Sequence, residues 1–245
     1  MTYCIGMRLN RGLIFMSDTR TNAGMDNISV FRKLVSWGKR GERSLTLLSA
    51  GNLATTQSTI SLLDERSKAA NERVPGLLEV PSMFQAARLV GGVLRDVIQA
   101  HAESGQKADS AFNATLILGG QIKGMPPRLF LIYPEGNFIE ASLDTPFFQI
   151  GETKYGRPIL VRAYDPDMSF EAALKLFMVS FDSTMKANLS VGLPLDYQVY
   201  DVDSLTTGQI HRVSVEDETF QAISQGWGEA LRGALSSLPE PKLPT

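Results

Sequence analysis

The sequence predicts an α+β fold: two antiparallel sheets packed face to face, with helix pairs outside them. Three observations carry that prediction. Short apolar runs come in pairs joined by turn clusters, longer stretches between them change to a helical period, and the resulting order is strands, two helices, strands, two helices, strands, helix. Sheets stacked with helices outside cover every apolar face that this order creates.

The first run, Tyr3 to Leu9, and the second, residues 13–18, flank Asn10-Arg11-Gly12 and predict a hairpin. Residues 33–37 and 44–49 flank Gly38-Lys39-Arg40-Gly41-Glu42 in the same way. Four short strands in succession imply an antiparallel sheet, and Met7, Ile14, Phe15, Leu47 and Leu48 leave both of its faces partly apolar, so something must cover each. Residues 54–70 then read as a helix. Residues 81–101 do so more strongly: Met83, Ala87, Val90, Leu94, Val97 and His101 recur at helical spacing, and Ser82 with Gln85 forms a capping box. Val74-Pro75-Gly76 between the two helices is a turn.

Strands return at 112–118, which Gly119-Gly120 should end, and at 128–133 and 137–141, which flank Pro134-Glu135-Gly136. Residues 147–150 form a short strand that stops at Gly151. A short helix is expected over 154–162 and an amphipathic one over 169–186, with Phe170, Leu174, Phe177, Met178, Phe181 and Met185 on one face. Strands at 197–202 and 208–213 precede a last helix at 218–235, which turns Phe220, Ile223, Trp227, Ala230, Leu231 and Ala234 inward. No repeat or linker divides the chain. Residues 1–237 read as one domain and 238–245, rich in Pro, as a disordered tail.

With 245 residues, 43% hydrophobic and 20% charged, the chain has enough material for a substantial core. A net charge of −2 and the lack of a basic block argue against nucleic-acid binding. A single cysteine, Cys4, allows no intrachain disulfide and reads as a buried thiol. There is no basic region followed by an apolar one at the start and no apolar stretch of ~20 residues, so the expectation is a cytoplasmic protein without membrane contact. The two histidines, His101 and His211, with Cys4 form no ligand cluster, so neither metal nor cofactor is expected. Gly119-Gly120-Gln121-Ile122-Lys123-Gly124 lacks the Gly-Lys-Ser/Thr ending of a phosphate loop, and there is no Gly-x-Ser-x-Gly elbow.

The chemistry points to the N-terminus. If Met1 is removed, Thr2 carries a hydroxyl and a free α-amine, whose pKa of roughly 7.7–8.0 lies near working pH. One residue then supplies both nucleophile and base. Thr2, the segment Ser17-Asp18-Thr19-Arg20-Thr21, the strand-leading Lys33 and the stretch Ser49-Ala50-Gly51-Asn52-Leu53-Ala54-Thr55-Thr56-Gln57 together resemble a proteasome β-type subunit. Such proteins are N-terminal-nucleophile hydrolases with a four-layer αββα fold. The layout is most similar to the bacterial ancestral beta subunit (Anbu) group, and the likeness runs over nearly the whole chain.

That resemblance implies threonine-type cleavage of peptide or amide bonds and a homo-oligomeric ring or spiral, with the helix at 81–101 and its neighbour as contact surfaces. It implies that Thr2 is the nucleophile, that Lys33 disfavours protonation of the nearby amine, that Asp18 holds Lys33 charged and oriented, and that Gly51 N–H stabilises the oxyanion. By the same pattern Thr21, Phe31, Val35, Ser49 and Leu53 surround the pocket for the residue before the cleaved bond, and their small and apolar character implies an apolar preference. Two positions depart from the pattern. Glu152 stands where the family has a serine, and Ala187 or Asn188 where it has an aspartate; Asn188 or Ser190 could substitute by hydrogen bonding. These departures keep open a non-catalytic ring scaffold that binds partners and, further off, an amidase or acyl transferase acting on small substrates.

Overall fold

The computed structural model describes residues 2–22, 28–68, 75–103 and 112–243. Strands β1 (Tyr3–Leu9) and β2 (Gly12–Asp18) form the predicted hairpin, in register from Cys4 opposite Ser17 to Leu9 opposite Gly12. Gly12, at φ 147°, makes the turn; a Cβ there would meet the Tyr200 carbonyl oxygen at 1.9 Å. Residues 20–22 and 28–30 pair as a small ribbon, β3 (Arg20–Asn22) with β4 (Ile28–Val30), which the sequence did not predict. Strands β5 (Leu34–Lys39) and β6 (Arg43–Gly51) make the second hairpin.

The four N-terminal strands do not share a sheet. β5 and β6 begin an antiparallel sheet of order β5-β6-β7-β8-β9, completed by β7 (Ala114–Ile122), β8 (Arg128–Ile132) and β9 (Phe138–Glu140). β1 and β2 belong to another, of order β10-β1-β2-β11-β12, with β10 (Phe147–Gly151), β11 (Leu195–Asp201) and β12 (His211–Val213). Both hairpins are local, but the strands that flank them lie more than 60 residues further along the chain, a long-range choice that hairpin signals do not encode.

The helices are α1 (Leu53–Lys68), α2 (Met83–Glu103), α3 (Arg157–Ala163), α4 (Phe170–Ala187) and α5 (Glu218–Ser237). Ser82 Oγ accepts from Gln85 N–H at the start of α2, and Ser169 and Asp217 cap α4 and α5 through the N–H groups of Ala172 and Phe220. Residues 69 and 70 of the first expected helix, Val74 of the turn after it, and Pro244 and Thr245 of the tail lie outside the described residues.

Period-2 alternation separates three cores. In β6, Leu45 and Leu47 join Met83, Ala87, Val90, Leu94 and Val97 of α2, whereas Leu48 and Ala50 face the other way. That second group meets Cys4, Leu13 and Phe15 between the two five-stranded sheets. Tyr3, Ile5, Met7, Ile14 and Met16 turn to the opposite side and pack on Leu160 of α3, Phe177 and Phe181 of α4 and Phe220 of α5. Burying one such side chain fully contributes roughly 1.5–3 kcal/mol, so these faces dominate the stability.

Three expectations need correction. Gly119-Gly120 does not end its strand: β7 continues to Ile122, because a Cβ at Gly119 would stand 2.5 Å from the Phe15 ring, and glycine lets the two sheets approach there. The helix expected over 154–162 begins only at Arg157, with Pro158 in its first turn, where its missing N–H costs nothing. In α5 only Phe220 is buried; Ile223 and Trp227 are half-buried, and Ala230, Leu231 and Ala234 are exposed, because beyond its first turn the helix leaves an open groove against α3 and α4 that Ile223, Trp227 and Leu231 line.

Candidate active site

Thr2 immediately precedes β1, half-buried, and Glu152 N–H donates to its carbonyl oxygen at 2.7 Å. The adjoining Gly151, at φ 83°, lies so close that a Cβ would meet the same oxygen at 1.9 Å. Asp18 ends β2 next door. Its carboxylate is fully buried, and Oδ1 accepts both the Tyr3 N–H at 2.9 Å and the Lys33 ammonium at 2.8 Å. Lys33 precedes β5 and is only 5% exposed; its Nζ also donates to the Arg20 carbonyl at 2.6 Å, and its own carbonyl accepts from Ser49 N–H at 3.0 Å. The ε-nitrogen at position 33 is therefore held inside the protein, two hydrogen bonds from the backbone of residue 3.

Gly51 ends β6. Its φ of 122° suits glycine, and a Cβ would stand 2.4 Å from the Asn113 carbonyl oxygen. Two residues beyond the Ser49–Lys33 hydrogen bond, β6 has run past the end of β5, so on that edge Gly51 has no neighbouring strand, while its other edge stays paired with β7. Asn52 Oδ1 then accepts from Thr55 N–H at 3.1 Å and starts α1.

A cleft of about 500 Å³ joins these elements. Of the residues singled out from sequence, Thr2, Thr21, Lys33, Ser49, Gly51 and Leu53 line it, and Asp18 lies beneath Lys33. Two do not reach it. Val35 pairs with Leu47 and packs on the helix side of its sheet, bordering a neighbouring hollow with Trp37 and Asp64. Phe31, tied by its N–H to the Thr19 carbonyl at 2.8 Å, is also absent from the lining. Arg32, Thr56, Gln57 and Ile60 were missed. The last three lie three, four and seven residues after Leu53, one face of α1, a spacing readable from sequence once Gly51 is taken as the helix's entry point.

Burial pushes the Asp18 carboxyl above its usual range, opposed by the Lys33 charge and hydrogen bond and by the Tyr3 N–H. Burial likewise raises the Cys4 thiol and the Tyr3 phenol well above their ordinary values; Cys4 donates to the Ser49 carbonyl, and Tyr3 shares its hydroxyl with Ser180 and Gln149.

No family model and no curated protein matches the sequence. Solved structures do. Anbu (ancestral beta-subunit) from Yersinia bercovieri is 49% identical, aligned over 98% of this chain and all of its own, with a TM-score of 0.90. The chain belongs to the Anbu family. A Gly-1 mutant of Anbu from Hyphomicrobium sp. strain MC1 is also 49% identical, over 99% of this chain and all of its own, with a TM-score of 0.91. A helical assembly of the Anbu complex from Pseudomonas aeruginosa is 46% identical over 98% of each chain, with a TM-score of 0.90.

In this Anbu chain the departures marked in the sequence meet beside Thr2. Glu152 is 7% exposed, and Asn188 Nδ2 donates to its Oε2 at 2.9 Å, while Asn188 Oδ1 accepts from Ser190 N–H. Arg20, whose carbonyl takes the Lys33 ammonium, donates from Nη1 to the Leu189 carbonyl, so the loop after α4 is linked to the lysine. Among the described residues there is no group of three or more His, Cys, Asp or Glu able to hold a metal ion, and no helix long and apolar enough to cross a membrane.

Proposed function

We propose that this Anbu protein is a threonine-type hydrolase of peptide or amide bonds, acting through an N-terminal Thr2 freed by removal of Met1, on the four-layer αββα sandwich of N-terminal-nucleophile hydrolases. The observation that carries the reading is the gathering of Thr2, Lys33 and Gly51 on one cleft, with Asp18 buried under the lysine.

The chemistry runs as follows in this reading. The α-amine takes the Thr2 hydroxyl proton, directly or through one water, as Oγ attacks the scissile carbonyl. Lys33, a cation fixed by Asp18, disfavours a second positive charge on the amine and so keeps it a base. Gly51 N–H stabilises the developing oxyanion; a donor of this kind contributes roughly 3 kcal/mol. Collapse expels the amine product with the transferred proton and leaves an ester on Oγ, which water hydrolyses to regenerate Thr2. The fold assembles as a homo-oligomer, in keeping with the helical assembly of the Pseudomonas aeruginosa relative. Intact-mass measurement tests the first requirement: the mature chain should lack Met1, and a chain that keeps it has no free threonine amine.

A second reading is a ring-like scaffold without turnover. The buried Glu152, a carboxylate hydrogen-bonded to Asn188 next to Thr2, favours it, because a negative charge there stabilises the protonated amine. Turnover of any amide that depends on Thr2 excludes this alternative.

A further inference from the structure

The cleft carries charge of one sign. Two cations line it, Arg32 and Lys33, and no Asp or Glu does among the described residues. Lys33 is committed, since its ammonium is buried against Asp18 and the Arg20 carbonyl. Arg32 differs. It is exposed in the segment between β4 and β5, and no hydrogen bond or ion pair engages its guanidinium among the described residues. The adjoining hollow, which Arg32 also borders, is lined by Asp64, whose carboxylate already receives the Lys68 ammonium and the Trp37 indole N–H.

An arginine on the wall of a cleft, its guanidinium unengaged among the described residues, presents a fork matched to carboxylate geometry. Around it the lining is small or neutral: Ala50 and Ile60 are apolar, Thr56 and Gln57 polar. A purely apolar side chain would leave the guanidinium partly desolvated without a partner, whereas a carboxylate satisfies it.

We propose that Arg32 is a specificity-determining residue, and that the cleft takes an acyl component bearing a carboxylate: an acidic residue on the acyl side of the scissile bond. This rests on the hydrolase reading above, and it replaces the apolar preference that Thr21, Phe31, Val35, Ser49 and Leu53 together had implied, of which Phe31 and Val35 lie off the cleft. Lys33 sets the chemistry and its neighbour Arg32 selects the substrate, so adjacent residues point one cation inward and one outward.

The test uses the processed full-length protein and fluorogenic peptides that differ only in Glu, Gln or Leu before the leaving group. Glu and Gln are nearly isosteric, so their kcat/KM ratio isolates charge. The expected ratio favours Glu by roughly fivefold, the scale of a partly exposed ion pair, and shrinks as salt is raised. Arg32→Gln should bring it close to one, Arg32→Lys should retain part of it, and Arg32→Glu should invert it. A ratio near one in the wild-type protein, or one unmoved by Arg32→Gln while peptides are cleaved, overturns the inference and leaves the hydrolase reading standing. Failure to cleave any peptide together with failure of an electrophile to acylate Thr2 overturns both.

Discussion

The Lys33 ammonium lies 2.8 Å from Asp18 Oδ1, with both side chains almost wholly removed from water. The desolvation of two such ions is large, and only a close pair with further hydrogen bonds offsets it. Lys33→Met would leave the Asp18 carboxylate buried with only the Tyr3 N–H. Unfolding in urea should show a loss of about 3–5 kcal/mol for that variant. The double variant Asp18→Asn with Lys33→Met should be markedly more stable than Lys33→Met alone, yet as inactive. Equal stability of the single and double variants would deny that the pair is coupled.

Gly51 is held by its backbone as much as by its surroundings. Gly51→Ala places a Cβ at φ 122° and 2.4 Å from the Asn113 carbonyl oxygen, so the end of β6 must shift. The strain should cost roughly 1–3 kcal/mol. Displacement of the amide should lower kcat by about 10²-fold or more, with a smaller change in KM. Unchanged kcat would remove Gly51 from the proposed oxyanion site.

Gly119 lets the sheets meet over Phe15. Gly119→Ala should destabilise by about 1–3 kcal/mol through overpacking. Adding Phe15→Leu should recover part of that loss, because the clash is with the Phe15 ring at 2.5–2.7 Å. A double-mutant cycle with no coupling would contradict the packing described.

Stability should fall at alkaline pH. The thiol of Cys4 and the phenol of Tyr3 are held protonated by burial in the folded state, whereas in the unfolded chain they lose their protons near pH 8.5 and 10. Above those values the unfolded state binds fewer protons than the folded one, so each group lowers the unfolding free energy by about 1.4 kcal/mol per pH unit. Cys4→Ala should flatten the slope between roughly pH 8.5 and 10 while lowering stability at neutral pH. An identical slope in the variant would show that the thiol does not contribute.

Much of the fold was legible because its signals are local. Asn10-Arg11-Gly12 makes a hairpin wherever the two strands end up, and the apolar stripe of α2 needs only a sheet to cover it. What was not legible depends on distant partners. Nothing around Gly119 announces the Phe15 ring that makes glycine necessary there, and nothing in residues 3–49 says that β2 will pair with β11 rather than with β5. The exposure of α5 is the same kind of failure: Leu231 has the right spacing to be buried, but it borders an open groove against α4 that no described element fills. In the site, Thr2, Asp18, Lys33 and Gly51 were readable as a spaced set. Arg32 was hidden because a lone surface arginine carries no pattern until the cleft beside it is seen.

The most direct test of the central claim is covalent labelling by a threonine-directed electrophile, followed by mass mapping of the modified N-terminal peptide. The account predicts one adduct per chain, on a peptide beginning at Thr2, and no adduct in a Thr2→Ala variant that folds normally. A mature chain that still begins with Met1, or labelling that persists in Thr2→Ala, would contradict it.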